Sequence, residues 1–475
     1  MSEQLILAGN KNFSSIKKEI INPYTNLPIK TVNFATKDQL KEAVEKAVKS
    51  FDETRKLPSN MRAKICFDIA KKINERESEF IDTIIKESGK PYVYAKGEFK
   101  RCIDTFTIAG EEAKRMDGHF FSLDAVTSGE NRQALTKRFP EGIVLGITPF
   151  NFPLNLVAHK IAPAIAVGNP IIIKPASKTP LTALLLGSII METDWPRDAI
   201  SVLPCDSRIA SLLVEDPYIK ILSFTGSPDV GWALKKQCGK KKIILELGGN
   251  AGVIVHKDMN EKMAYIIDRC VVGSFAFSGQ VCISVQRIFV HNLLFGEFIE
   301  AFKQKTSNLV TGDPLDEKTN FAVMIDEENA IRIEEWVTEA VKNGAKIIIG
   351  GKREGSFYQP TILTNVKTTD KVCSSEAFGP IVIVEKYNDF ENALQMINDS
   401  EYGLQAGIFT NDINLILKAY DVLDVGGVII NDVPIFRVDQ MPYGGNKNSG
   451  FGREGIKYTM EEYSNIKLMV INQNI

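Results

Sequence analysis

GIVLGI (residues 142–147), PIIIK (170–174), AISVLP (199–204), ILSFTG (221–226) and KIILEL (242–247) are five short apolar runs with helix-spaced segments between them. Helices are expected after Asn155, over residues 181–191 and 208–215, and from Pro228. Unbroken apolar runs suit strands buried on both faces, and their alternation with helices predicts a parallel sheet covered on each side. In such a sheet a ligand binds beyond the carboxyl ends of the strands.

Downstream, a second α/β stretch over residues 252–433 carries strand-like RIFVH (287–291), AKIIIGG (345–351), PIVIVEKY (380–387), AGIFT (406–410) and GGVIIN (426–431). No low-complexity linker divides the two stretches, so a cleft between them is the expected small-molecule site. Upstream, the first 110 or so residues read mostly as amphipathic helix, over 37–51, 61–88 and 93–114. QALTKRF (133–139) and KLMVI (467–471) alternate like strands and are expected to leave the main body.

Hydrophobic residues make up 44% and charged residues 24% of the 475, which suits a multidomain globular protein. With 57 Lys and Arg against 59 Asp and Glu, there is no net field to draw a polyanion or an anionic membrane. The reading is of a cytoplasmic protein with no nucleic-acid or membrane partner. Its seven cysteines are scattered and lack CxxC spacing, and its four histidines form no HExxH or HxxxH pattern, so no metal is expected.

Several short segments surround a polar residue with glycine and proline. FTGSPDVG (224–231) follows a strand and opens a helix: Ser227 suits an N-cap, Pro228 the first helical position, and Gly226 the close approach of a phosphate. The same features suit an ordinary capped connection. Lys174 ends a strand and can reach a ribose or phosphate, or simply lie along the surface. Cys282, in SGQVCISVQR, has small neighbours that leave room for a ligand, although free cysteines are commonly inert and buried. Glu246, in LELGGN, ends an apolar strand where burial would raise its pKa toward that of a general base. Capping or a salt bridge is its plainer use. Asn151 in PFNFP can donate to an oxyanion or serve a turn, and Glu376 in EAFGP can accept from ribose hydroxyls or sit exposed in a loop. PYGGNKNSGFGREG (442–455) is too glycine-rich for a regular element and reads as a site-lining loop.

Taken together, PFNFP, KPAS, FTGS, LELGGN, GQVC, EAFGP and GGxxxSGxGRE occur in the order and at the intervals of one family, which this chain resembles from about residue 20 to its end: the aldehyde dehydrogenase superfamily. The resemblance implies an α/β architecture with a Rossmann-like, parallel-sheet dinucleotide-binding domain (1–118 and 141–248), a second α/β catalytic domain (249–445) and a small β oligomerisation arm (119–140 and 457–475). It implies Cys282 as nucleophile, Glu246 as general base, and Asn151 with the Cys282 backbone amide as oxyanion hole. Lys174, Ser177, Gly226, Ser227, Glu376 and Phe378 fall at cofactor positions, and Lys160 and Glu454 at positions that relay a proton. NADP or NAD is the implied cofactor, and a homodimer or homotetramer the implied assembly.

Where many NAD-preferring relatives carry a glutamate, this chain has Ser177 followed by Lys178, so acceptance of NADP is expected. Residues 149–160, 176–181 and 436–445 look closest to the branch of lactaldehyde, phosphonoacetaldehyde, sulfolactaldehyde and non-phosphorylating glyceraldehyde-3-phosphate dehydrogenases. That points to a small polar or anionic aldehyde, with Arg101 and Arg437 as candidates to hold its anion, although each also suits a surface or interdomain role. The rivals are a dehydrogenase that passes the acyl group to coenzyme A, which an intact Glu246 disfavours, and a phosphorylating enzyme, which lacks a motif histidine here. A silent binding protein on this fold would be expected to lose Cys282 or Glu246.

Overall fold

The computed structural model describes residues 2–474. Five parallel strands form the heart of an eight-stranded sheet, in the order Ile200–Val202, Ile171–Lys174, Ile143–Ile147, Ile219–Thr225, Lys242–Glu246. The chain starts in the middle, at Ile143–Ile147, moves outward to one side and then returns to build the other. The topological switch therefore falls between Ile143–Ile147 and Ile219–Thr225, where a crevice opens at the carboxyl ends. Out of that crevice edge run Thr148 to Asn151 from one strand and Gly226 and Ser227 from the other. Helix Asn155–Val167, buried along its whole length, packs beneath the sheet and brings Lys160 under it.

The second sheet has seven strands, in the order Lys346–Ile349, Thr361–Thr364, Ile381–Tyr387, Val285–His291, Ala251–Val255, Gln405–Phe409, Gly427–Ile430. All neighbours are parallel except the first pair. Strands Ala251–Val255 and Thr361–Thr364 escaped the sequence reading. The first follows directly on the glycines of LELGGN and carries Gly252, whose missing side chain makes room for Ile397; the second is four residues long.

The amino-terminal segment departs from the helical expectation. Before the first helix, Lys37–Thr54, come the strands Leu5–Leu7, Asn10–Asn12, Ile16–Ile21 and Pro28–Phe34. The first two extend the eight-stranded sheet in antiparallel fashion, and the others form a hairpin whose lysines and glutamate face solvent. The expected helix over 61–88 is two helices, Ser59–Asn74 and Glu77–Ser88, broken at Arg76, whose φ of −120° is not helical.

QALTKRF and KLMVI pair with each other in a separate three-stranded sheet. Arg132–Pro140 pairs antiparallel with Ser464–Asn472 along nine residues, and Phe120–Ser122 adds a third strand. Strand Ser464–Asn472 is an edge, with Ile466 59%, Leu468 54% and Val470 45% exposed.

Candidate active site

Cys282 follows a backbone that few side chains tolerate. Phe277, Ser278 and Gly279 have φ of 48°, 54° and 70°, three left-handed residues in succession, and each non-glycine member costs on the order of 1–3 kcal/mol. Surrounding bonds hold them: Ser278 Oγ donates to the Ala322 carbonyl at 2.8 Å, and Gln280 Oε1 accepts from Ile325 N–H at 2.9 Å. Asn151 Nδ2 donates to the Gln280 carbonyl at 2.9 Å. That bond ties the crevice of the first sheet to the cysteine loop and leaves the second amide hydrogen of Asn151 free. At Gly248 a side chain would collide with the Glu376 carboxylate, and at Gly249 with the Cys282 carbonyl, so the glycine pair of LELGGN lets three segments meet.

The half-buried Cys282 thiol is pushed up to about 11, chiefly by burial, against the downward pull of a Tyr443 hydrogen bond and the Arg437 charge. Glu246 is 3% exposed, and among the described residues neither carboxylate oxygen has a hydrogen-bond partner. Burial, then the nearby Glu454 charge, hold its carboxyl well above the usual range. Glu454 has the opposite setting: Oε1 accepts from Lys160 Nζ at 3.0 Å, while His159 Nδ1 and Arg437 Nη2 lie 3.5 and 3.6 Å from Oε2. The Lys160 and Arg437 cations hold it below the usual carboxylate range in spite of its burial. Lys160 also donates to Ser223 Oγ at 3.0 Å and Thr225 Oγ1 at 2.9 Å.

Arg101 and Arg437 converge on one buried carboxylate by different routes. Arg101 Nη2 donates to Asp439 Oδ1 at 2.7 Å, and Arg437 Nη2 meets His159 Nδ1 at 2.8 Å, with His159 Nε2 2.9 Å from Asp439 Oδ1. Neither is a free surface arginine. In both, the Nε is buried and has no hydrogen-bond partner.

At the carboxyl end of its strand, Lys174 is 8% exposed, not a solvated surface lysine, and among the described residues its ammonium makes only a 3.4 Å contact with the adjacent Pro175 carbonyl. Burial lowers its pKa. Ser227 occupies the N-cap position of helix Pro228–Gln237, yet its side chain makes no capping bond, which leaves the helix N–H groups available. Glu376 is half-buried, not exposed; Oε1 accepts from Gly249 N–H at 2.9 Å, and burial pushes its carboxyl up to about 7. Phe378, left-handed at φ 47°, packs edge-on against Phe150. A cavity of about 710 Å³ opens beside Ser177 and Lys178, lined also by Ile325 and Asp326; Cys282 does not line it. Lys178 is ion-paired with Asp326.

Sequence reasoning singled out neither Tyr443, whose hydroxyl lies 3.2 Å from Cys282 Sγ, nor His159 and Asp439. PYGG stands out for its glycines, and His159 directly precedes Lys160, but only the folded chain brings Tyr443 to the cysteine and joins His159 and Asp439 to Arg437 and Arg101.

Comparison with known proteins agrees with the geometry. Residues 11–469 match the aldehyde dehydrogenase family. The chain is 43% identical over 470 residues to a 3-sulfolactaldehyde dehydrogenase of Priestia megaterium, covering 98% of each. It is 41% identical over 460 residues to a lactaldehyde dehydrogenase of Methanocaldococcus jannaschii, covering 96% of this chain and 97% of that one. Aldehyde dehydrogenase 21 of Physcomitrella patens, solved with the reaction product succinate, superposes with a TM-score of 0.98 at 41% identity, covering 100% and 98%. A glyceraldehyde-3-phosphate dehydrogenase of Methanocaldococcus jannaschii complexed with NADP gives 0.92 at 40%, covering 96% and 100%. The chain belongs to the aldehyde dehydrogenase family. Within it, these relatives are of the branch that its segments around Asn151, Ser177 and Arg437 resemble.

Proposed function

We propose that the protein oxidises a small polar or anionic aldehyde to its carboxylic acid with NADP or NAD, through a thioester on Cys282. The observation that carries this reading is Glu246: a buried carboxylate with both oxygens unpartnered among the described residues, beside a half-buried cysteine whose loop the Asn151 amide holds through the Gln280 carbonyl. An enzyme that hands its acyl group to coenzyme A has no need of such a base.

In this reading the Cys282 thiolate attacks the aldehyde carbon, and the free Asn151 N–H and the Cys282 backbone N–H hold the oxyanion. A bound nicotinamide supplies the hydride acceptor. Glu246 then takes a proton from the water that hydrolyses the thioester, and its raised pKa makes it a stronger base than an ordinary carboxylate. Lys160 and Glu454 stand behind it as the proton exit. The residues present fit a dinucleotide: an under-bonded buried ammonium at Lys174, an uncapped helix start after Gly226 and Ser227, and Glu376 facing the same crevice. Ser177 would lie at the adenosine ribose and Phe378 beside the nicotinamide.

Arg101 and Arg437 each keep an unpartnered, buried Nε for a substrate anion. The names of the relatives, acting on 3-sulfolactaldehyde and lactaldehyde, support a short polar chain. Residues 1–118 and 141–248 would form the dinucleotide-binding domain, 249–445 the catalytic domain, and 119–140 with 457–475 an arm whose exposed apolar edge assembles a homodimer or homotetramer. The neutral charge balance suits a cytoplasmic enzyme, and among the described residues no helix is long and apolar enough to cross a membrane.

The test is a screen of short hydroxy- and acid-bearing aldehydes against hexanal, with NAD and with NADP, following reduced nicotinamide. It is repeated with Arg101→Ala and Arg437→Ala. Preference for the charged aldehydes, weakened in both variants, is expected. Preference for hexanal, with neither substitution mattering, would overturn the substrate class and leave the dehydrogenase in place.

A further inference from the structure

Among the described residues, the Tyr443 hydroxyl and the Cys282 sulfur are each other's single hydrogen-bond partner, 3.2 Å apart. The ring cannot swing away, because three supports fix it. Its backbone N–H donates to the Glu454 carbonyl at 2.9 Å, and the Glu454 N–H donates back at 2.6 Å. Phe277, Val281, Ile283 and Leu404 pack around it, and the Arg437 guanidinium lies over its face 3.6 Å from the centroid. Only the hydroxyl is left to act, and it faces the sulfur.

That contact serves both states of the cysteine. A thiol can donate to the phenol oxygen, whereas a thiolate accepts from the phenol O–H, and the second bond is charge-assisted and roughly twice as strong. Loss of the sulfur proton therefore reverses and strengthens the bond. A cation over the ring face makes the phenol a better donor. We propose that Tyr443 is a catalytic residue: its hydroxyl donates to the Cys282 thiolate, aims it, and keeps its own proton throughout, with Arg437 setting its donor strength.

This rests on Cys282 as nucleophile. The thiol proton leaves to water; the sulfur pair then forms the bond to the aldehyde carbon, and the O–H···S bond weakens as that pair is used. In hydrolysis the C–S bond breaks, the pair returns to sulfur and Tyr443 donates to the departing thiolate. The charged groups that bear on the sulfur are Arg437, Glu376 and Glu246, the first favouring and the other two opposing its ionisation. Tyr443 itself is held well above its ordinary value, by burial first and by Cys282 and Glu246 against Arg437, so it remains a donor at working pH.

The experiment measures alkylation of Cys282 by iodoacetamide in the intact protein against pH, read from the mass of its peptide. It compares the native protein, Tyr443→Phe, and protein carrying 3-fluorotyrosine at 443. Below the thiol's midpoint, Tyr443→Phe should slow alkylation about tenfold and displace the pH–rate curve upward. The more acidic fluorotyrosine should move it the other way, while cofactor affinity stays unchanged in both. Superimposable curves for Tyr443→Phe and native protein would overturn the proposal, as would fluorotyrosine acting like phenylalanine. Should Tyr443→Phe fail to fold, the fluorotyrosine arm decides alone. Failure of the underlying reading looks different: Cys282→Ser would retain turnover while the alkylation curves still shifted.

Discussion

Strand Lys242–Glu246 ends on a glutamate without a hydrogen-bond partner, whereas the segment paired with its edge, Gly450–Phe451, runs on to Glu454, which Lys160, His159 and Arg437 surround. Both carboxylates are buried. Residue type and burial are thus equal; burial raises both carboxyls, and only the charges around Glu454 reverse the direction there. Two titratable groups whose surroundings separate their pKa values are what an acid–base division of labour requires. Glu246, its carboxyl held high, suits proton uptake; Glu454, held low, stays charged and raises Glu246 further.

Cys282→Ser is the largest expected effect, because it removes the atom on which this division acts. Aldehyde oxidation should fall by on the order of 10³-fold or more while cofactor affinity is kept. Near-normal turnover would leave the two glutamates with nothing to serve. Glu246→Gln should lower steady-state turnover by about 10²–10⁴-fold yet permit one burst of reduced cofactor, since acylation does not need the base. Unchanged turnover removes Glu246 from the chemistry.

The same substitution has an opposite consequence for stability. A folded pKa raised above the unfolded one means that ionised Glu246 disfavours the fold. The penalty is absent at acid pH and grows as pH rises through the ordinary carboxylate range toward the folded value. Glu246→Gln should therefore be as stable as the native protein in acid and more stable near neutrality, by about 1–3 kcal/mol in denaturant unfolding. Glu454→Gln should do the reverse. Its folded pKa is depressed, so its contribution is present above the ordinary carboxylate range and lost as pH falls through the folded value. Removing it strands buried Lys160, at a cost of about 3–5 kcal/mol near neutrality. Equal shifts of the same sign in the two variants would dissolve the comparison.

The division between Glu246 and Glu454 was half legible. Glu246 ends an apolar strand, so its burial could be read from KIILEL; Glu454 lies in a glycine loop, and its partners Lys160 and His159 lie on helix Asn155–Val167, far away in the chain. Sequence motifs name positions, but the charge that Lys160 and Arg437 impose on one carboxylate exists only after folding. Most of the parallel strands were readable because runs buried on both faces carry few polar residues, whereas Ala251–Val255, equally buried, is masked by the glycines before it. Hairpin Ile16–Ile21 and Pro28–Phe34, mostly exposed and lysine-bearing, carries no such pattern, and it was missed.

A second cation–carboxylate pair, placed in water, sharpens the comparison at its weakest end. Lys178 and Asp326 are joined like Lys160 and Glu454, but their side chains are 54% and 21% exposed against 0% and 1%. Solvent and salt weaken such a pair, so Lys178 is not committed to Asp326 in the way Lys160 is to Glu454. A 2′-phosphate arriving beside Ser177 can therefore recruit it, which a fully buried pair would forbid. Ser177→Glu places a like charge where that phosphate would lie, and the ratio of kcat/KM for NADP to that for NAD should fall by about fivefold, the upper scale of one exposed charge interaction. Asp326→Asn, which keeps a side chain able to cap helix Glu327–Lys342, should raise the ratio by a smaller factor, because it frees Lys178. An unmoved ratio in Ser177→Glu would take Ser177 out of the ribose site. A fall in the ratio with Asp326→Asn would mean that the pair holds Lys178 in the position that binds phosphate, so that water had not loosened it after all.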